Sequence, residues 1–584
     1  MRNLFLAASA FALIYAVPAH ADANGDLKKL VDDVWAVTLK DQPIYASALG
    51  IDTYAGEVGD YTLAAQDRRA AEAAAFLKRL DAIPASQFDA ATKVEAGILR
   101  RALNSTIEGN RFGQRTINFT TYSSWHQQFA GMAQNLPFKT KADFDSYNKR
   151  LAQYGRVNDE NIAVADIAIK GKYTQPCETL TGFEGTVSGL IQADVTKSRF
   201  FAPYAGKRPE GISQIDFDML AGTAAKNIQT VIHPALNKQL AWYTANYKPA
   251  CAKAPGVSAQ PGGSGYYAFR VREETTTDLS PEQIHQIGLN EVARIRAEMV
   301  EVATKAGYPS REAFIKHLRT DPQYYANTPE ELMLQVARVT KTIDGKMPSL
   351  FGRLPRLPYG IKEIPAETAE GTTTAYYNPG SPEIGLSGTY FVNTSKLNQR
   401  PFWEIPALSV HEAVPGHHHQ IALQQELPLS DFRKYGAFFT AFTEGWGLYS
   451  ERLGIEMGLY DTPAKDMGRL SYEMWRACRL VVDTGIHAKG WSKQQAIDFM
   501  TNNSALSAAN IEAEVNRYIS WPGQALAYKL GELKIRELRM IATKELGAKF
   551  DLAAFHDVVL GQGSVPLDVL EAQVKDWVAA EKAK

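Results

Sequence analysis

The run His411-Glu412-Ala413-Val414-Pro415-Gly416-His417-His418-His419 constrains the fold most, because no regular helix can gather its histidines at one point. At roughly 100° per residue, the step from His411 to His417 turns the second side chain about 240° away, and the step to His418 restores the face but climbs about 10 Å. Pro415 removes a backbone donor and clashes with the preceding turn, while Gly416 widens the dihedral range. The helix is therefore expected to bulge or break here and draw His417 into line with His411. The chemistry that rewards such a break is zinc binding, which needs neutral imidazoles within about 2.1 Å of one point. Hydrolysis adds a carboxylate beside the activated water. His411 and His417 are thus the expected ligands, with His418 the alternative to His417, and Glu412 is the expected general base.

A third ligand is expected on the next helix. Phe432 to Met457 reads as one long apolar helix, N-capped by Ser430 and ended by Gly458. Glu444 interrupts it with a carboxylate that is costly to bury unless paired or bound to metal. Gly445 and Gly447 allow another backbone to approach. An antiparallel turn through Leu427-Pro428-Leu429 sets Glu444 opposite the histidines. A solvated histidine loop is the plain alternative, but the run Ile405 to Val410 before it is apolar.

The amino terminus bears on compartment. Arg2 precedes the apolar run Leu4 to Val17, and Ala19-His20-Ala21 offers small residues at both cleavage-determining positions. Residues 1–21 read as a signal peptide cut between Ala21 and Asp22, with no lipobox cysteine after it, so a periplasmic or secreted protein is expected. Among 584 residues, 63 basic and 64 acidic side chains nearly cancel. That balance leaves no electrostatic footprint for nucleic acid. Three cysteines cannot make a disulfide framework; either Cys177 and Cys251, both beside prolines, form one bridge or all three, Cys478 included, are free thiols.

Periodicity is mostly helical. The expected organisation is a helical subdomain over 22–253 and a second subdomain over 254–584, with a β element at about 372–394 and metal helices at about 405–457. A Pro/Gly-rich break at 254–265 separates them, followed by Tyr266 to Arg272, whose alternation reads as a strand. Ser280-Pro281-Glu282-Gln283 predicts a capped helix running to Lys305.

The motifs HEAVPGHHHQ, FTEGWGLYSE, VDTGIHAKGW and NRYISWPGQALAYKLGELKIREL, with AYYNPGS and GTYFVNT upstream, resemble the bacterial domain-of-unknown-function 885 family over nearly the whole chain after residue 21. That family is in turn similar to gluzincin peptidases, in which two histidines and a glutamate hold zinc. The resemblance implies an all-α clam shell with a deep cleft and a small β element. It also implies a strand edge that pairs with extended peptide, here Gly388, Thr389, Tyr390 and Phe391, and an electrophilic group late in the chain, for which His487, Tyr518 and Tyr528 stand as candidates. Arg517 or Lys529 would hold a substrate carboxylate. One departure is Leu448, at a position where several gluzincins carry a carboxylate, so Asp431, Glu451 or a backbone carbonyl would have to orient the histidines.

The resulting expectation is an exported zinc metallopeptidase acting on short or unfolded peptides. A zinc amidase or esterase on other substrates, and a non-catalytic metal- or peptide-binding protein, are the alternatives; Glu412 speaks against the latter.

Overall fold

A computed structural model describes residues 22–370 and 372–584 as a mostly helical chain with one three-stranded sheet. The expected signal peptide, residues 1–21, lies outside the described residues. The second half is built on α1 (Gly263–Thr275), α2 (Pro281–Lys305), α3 (Ile405–Glu412), α4 (His417–Glu426), α5 (Thr440–Leu453), α6 (Pro463–Lys489), α7 (Ala508–Ser520) and α8 (Ala527–Leu546). Strands β1 (Tyr359–Glu363), β2 (Ala375–Asn378) and β3 (Gly388–Val392) lie between α2 and α3.

Helix α6 is the spine of this half. From Met467 to His487 every residue is buried. A helix buried on all sides must be apolar throughout or pair its charges. α6 pairs four of its five: Arg469 with Asp466 at 2.7 Å, Glu473 with Lys529 at 2.9 Å, Arg476 with Glu451 at 3.3 Å and Arg479 with Glu514 at 2.9 Å, while Asp483 is held by hydrogen bonds. α2 lies along α6, and Gly288 permits it, since a Cβ there would come within 2.7 Å of Leu480 Cβ. The capping box expected at Ser280 and Gln283 is present. One hydrophobic core draws on residues from both sides of residue 253, and another lies wholly before it. Leu27, Leu30, Ile98 and Leu99 share a core with Phe442, Trp446 and Ile535, whereas Phe119, Tyr147, Phe183 and Tyr247 belong to another.

Two local expectations are corrected. Tyr266 to Arg272 is not a strand but part of α1. Its alternation arises because the helix is covered on two sides: Tyr267 reaches Asp483 on α6 through a 2.6 Å hydrogen bond, while Phe269 stacks on Phe112. Nor is Phe432 to Met457 one helix. A π-helical turn, Phe432–Gly436, follows Ser430, and extended residues precede α5. Gly436 sits against Trp35, where a Cβ would come within 2.9 Å of the ring, and the Phe439 amide donates to Ser564 Oγ at 2.9 Å. Contacts with distant segments thus hold the break open.

Cys177 and Cys251 form a disulfide across a separation of 74 residues, and Cys478 is free and buried on α6, its thiol pushed up to about 12 by burial. Closing a loop of that length restricts the unfolded chain. Replacing both bridged cysteines by serine should lower stability by roughly 2–4 kcal/mol in guanidinium unfolding. An unchanged midpoint would show that the bridge adds nothing.

Candidate metal centre

The expected helix break is present. α3 ends at Glu412, Ala413 and Gly416 leave the helical region at ψ −112° and −129°, and α4 starts at His417. The freed amides find acceptors within the turn: Gly416 N donates to Val410 O at 2.9 Å, and His418 N to Ala413 O at 3.0 Å. Trp446 Nε1 donates to Pro415 O at 2.7 Å, tying the turn to α5. Only glycine fits at 416, because a Cβ would come within 1.9 Å of His411 O. The imidazoles of His411 and His417 consequently meet edge to face, with centroids 4.6 Å apart.

α5 brings Glu444 to the same point. Its Oε2 lies 3.5 Å from His411 Nε2 and 3.3 Å from His417 Nε2. Three donors on a tetrahedron with bonds of 2.0–2.1 Å stand about 3.3 Å apart, so these separations suit one zinc-sized cation. Glu444 Oε2 is buried and has no hydrogen-bond partner. Of the described residues, His411, His417 and Glu444 form the group of three whose ligand atoms lie within 4.8 Å of one another. Burial opposes a charge on His411, yet the facing carboxylates of Glu444 and Glu451 outweigh it and hold its pKa up at about 9. Burial likewise opposes charge on Glu444, but the facing imidazoles of His417 and His411 hold it well below the usual carboxylate range. The pocket favours positive charge at its centre.

Glycines set the close approaches. At Gly447 a Cβ would come within 2.8 Å of His411 Cε1, so the imidazole lies directly on α5. At Gly445 a Cβ would come within 2.5 Å of Gly531 Cα, where α5 and α8 touch backbone to backbone. That contact sets Tyr528 of α8 parallel to the His411 ring, with centroids 6.3 Å apart.

The groups around the three donors divide clearly. Glu412 is 8% exposed, its carboxylate has no hydrogen bond or ion pair among the described residues, and it acts electrostatically on His411. Of the groups considered for orienting the histidines, Glu451 does so for His411. Its Oε1 accepts from Nδ1 at 2.8 Å and pairs with Arg476 at 3.3 Å. Asp431 makes no hydrogen bond or ion pair with either histidine among the described residues. Leu448 is buried.

Other expected site residues stand elsewhere or are already engaged. His418 is saturated, with Nδ1 on Tyr377 OH at 2.9 Å and Nε2 on Leu357 O at 3.0 Å, and burial pushes it down to about 4. His487 is saturated too: Val257 N donates to its Nδ1 at 3.1 Å, and its Nε2 meets Tyr518 O at 2.9 Å. The Tyr518 hydroxyl accepts from Trp475 Nε1 at 2.8 Å and Arg479 Nε at 2.9 Å. Arg517 spends its donors on Glu514 and Gln524, and Lys529 is enclosed by Glu291, Glu473 and Glu532. Of the three late candidates for an electrophilic group, only Tyr528 adjoins His411. The Arg479 guanidinium lies 4.2 Å from its ring centroid, and burial together with the Glu444 charge pushes its phenol up.

The strand expectation is corrected as well. β3 is the middle strand, pairing parallel with β1 and antiparallel with β2, so Gly388, Thr389, Tyr390 and Phe391 offer no open edge. Tyr390 is fully buried. β1 could not be anticipated as the strand that closes this edge, because its five residues come from a separate part of the chain. The residues missed outright, Arg476, Arg479 and Glu514, left one signal: charges inside an apolar helical run require partners.

The fold and the donor set define a mostly helical protein with a candidate His/His/Glu metal centre. The chain belongs to the bacterial family described as protein of unknown function (DUF885), whose family model matches residues 43–574. A crystal structure of the "putative lipoprotein" from Colwellia psychrerythraea is 30% identical, with a TM-score of 0.88 over 96% of this chain and 99% of that one. A second structure, a "putative lipoprotein of unknown function" from Shewanella oneidensis, shares the fold at 19% identity and a TM-score of 0.67, over 94% of this chain and 99% of that one. No curated protein matches the chain. No described helix is long and apolar enough to cross a membrane.

Gly416→Ala should destabilise the protein by about 1–3 kcal/mol, since the added methyl has only backbone to meet. Thermal unfolding at the wild-type temperature would show that the turn has another conformation.

Proposed function

We propose that this chain is an exported zinc-dependent hydrolase acting on peptides. The observation that carries the reading is the convergence of His411 Nε2 and His417 Nε2 on the unpartnered Glu444 Oε2, at 3.5 and 3.3 Å, with Glu412 next in sequence to His411. The resemblance to gluzincins supports the same assignment of ligands and base. Export is supported by the amino-terminal pattern of residues 1–21 and by the description of the similar Colwellia protein as a putative lipoprotein.

His411, His417 and Glu444 would hold the ion. When bound, zinc supplies Lewis acidity that polarises a carbonyl and acidifies water. The chain's own groups do the rest. Glu412 takes the proton of the attacking water and passes it to the leaving amine. Glu451 accepts the Nδ1 proton of His411, which leaves Nε2 free to act as a ligand, and Arg476 holds Glu451 in place. Tyr528 is the residue that would donate a hydrogen bond to the developing oxyanion. Extended substrate cannot add to β3, because β1 and β2 are the outer strands of the sheet.

Metal analysis of the purified protein, combined with a peptide-library digest read by mass spectrometry, tests the reading. Glu412→Gln should keep stoichiometric metal and lose hydrolysis by several orders of magnitude. Unchanged turnover in that variant would sink the mechanism, and a metal-loaded wild type that cuts no peptide would leave the amidase or esterase reading in its place.

The ligand set has its own test. Glu444→Ala should lower zinc affinity sharply and abolish activity, whereas Glu451→Ala should retain metal with a loss of about 10- to 100-fold, as expected for a group that orients a ligand. Full-affinity zinc titration of Glu444→Ala would remove that carboxylate from the centre.

A further inference from the structure

The turn between α7 and α8 ends in a short 3-10 helix, Gln524–Leu526, that runs directly into α8. Gly523 opens it at φ 83°, and the Gly523 amide donates to Asp483 Oδ1 on α6 at 3.2 Å, so the turn is pinned to the buried spine. Gln524 precedes Tyr528 by about one helical turn. Its side chain lies between that tyrosine and Arg517 of α7.

A primary amide between two polar groups can be turned two ways, and here Arg517 decides. A guanidinium has donors and no acceptor, so Arg517 Nη1 at 2.8 Å must meet the amide oxygen, Gln524 Oε1. Arg517 is itself held, because its Nε and Nη2 donate to Glu514 at 3.2 and 2.9 Å, and Glu514 also accepts from Arg479 at 2.9 Å. The amide nitrogen of Gln524 is thereby left facing the Tyr528 hydroxyl, at 3.4 Å. That contact is long, but its direction is fixed: an amide N–H can only donate, so the phenol oxygen accepts and its own proton points elsewhere. The hydroxyl makes no other hydrogen bond among the described residues. The Tyr528 ring meanwhile lies parallel to that of His411 and keeps 8% of its surface exposed.

We propose that Gln524, oriented by Arg517, is a positioning residue that keeps the Tyr528 proton free for an oxyanion formed at the metal centre. The inference rests on reading that centre as a hydrolase and assigns a further residue to it. A phenol that gave its proton to a neighbouring side chain would have none to offer.

Gln524→Glu and Gln524→Leu separate direction from packing. Glutamate keeps the shape, still accepts from Arg517 and takes the phenol proton, whereas leucine takes nothing. Gln524 is half-buried beside the Arg517 guanidinium, a setting that tolerates a carboxylate. In the full chain, with metal content measured for each variant and a peptide found by the library digest as substrate, Tyr528→Phe should lower kcat about 100- to 1,000-fold, the cost of one oxyanion donor. Gln524→Glu should lower it by a similar factor with KM nearly unchanged, and should cost nothing more once Tyr528 is Phe. Gln524→Leu should lose less than about tenfold. NMR of protein carrying isotope-labelled tyrosine Cζ reads the bond without turnover: the resonance missing from Tyr528→Phe should move downfield in Gln524→Glu. Equal losses in the two Gln524 variants, a further loss in the double variant, or a resonance that stays in place would overturn the proposal. A wild type that cuts no peptide while the resonance moves would fault the hydrolase reading and leave the orientation of the phenol standing.

Discussion

The pairing of charges on the buried helix α6 is the constraint on which the rest of this half depends. Of the five buried charged residues on a helix whose surface is covered along more than five turns, those at 469, 473, 476 and 479 each find an opposite charge on α5, α7, α8 or α6 itself, and Asp483 is answered by the Tyr267 hydroxyl and the Gly523 amide. Removing one partner of a buried pair costs on the order of 3–5 kcal/mol, a large share of the roughly 5–15 kcal/mol that keeps a domain folded. The pairs therefore fix the register of α5, α7 and α8 against α6 more sharply than apolar contact alone. An apolar surface would tolerate a slide of one turn; a guanidinium facing a carboxylate at 2.9 Å would not.

The same pairing reaches the candidate centre. Arg476 holds Glu451, Glu451 holds His411, and His411 faces Glu444, so a core ion pair continues directly into the donor set. Arg479 extends a second arm over Tyr528, whose ring lies parallel to that of His411. Steric permission comes from glycine. Gly416 lets the chain turn against its own carbonyls, Gly447 lets an imidazole lie on α5, and the Gly445 and Gly531 contact lets α8 approach. Polar groups set the positions, and missing side chains leave the room.

Much of the centre was legible because its parts are close in sequence or have a single physical reading. The proline and glycine between His411 and His417 announce a broken helix, and a carboxylate in an apolar run at Glu444 asks for a partner. Both readings match the geometry that brings these three side chains together. The capping box at Ser280 was legible for the same local reason. The strand expected at 266–272 failed because periodicity reports only which residues are covered, and a helix covered on two sides mimics alternation.

The sequence by itself determined where helices start and break, and which side chains cannot be left alone in an apolar setting, because those are properties of the local backbone and of solvation. Only the tertiary structure decided which partners answer them. Glu451 rather than Asp431 orients His411, and His418 and His487 are consumed by neighbours far along the chain. β3 is closed on both sides by strands from either flank of an intervening helix. These choices depend on distances between segments separated by tens to hundreds of residues, and nothing in the local pattern of a chain encodes such distances.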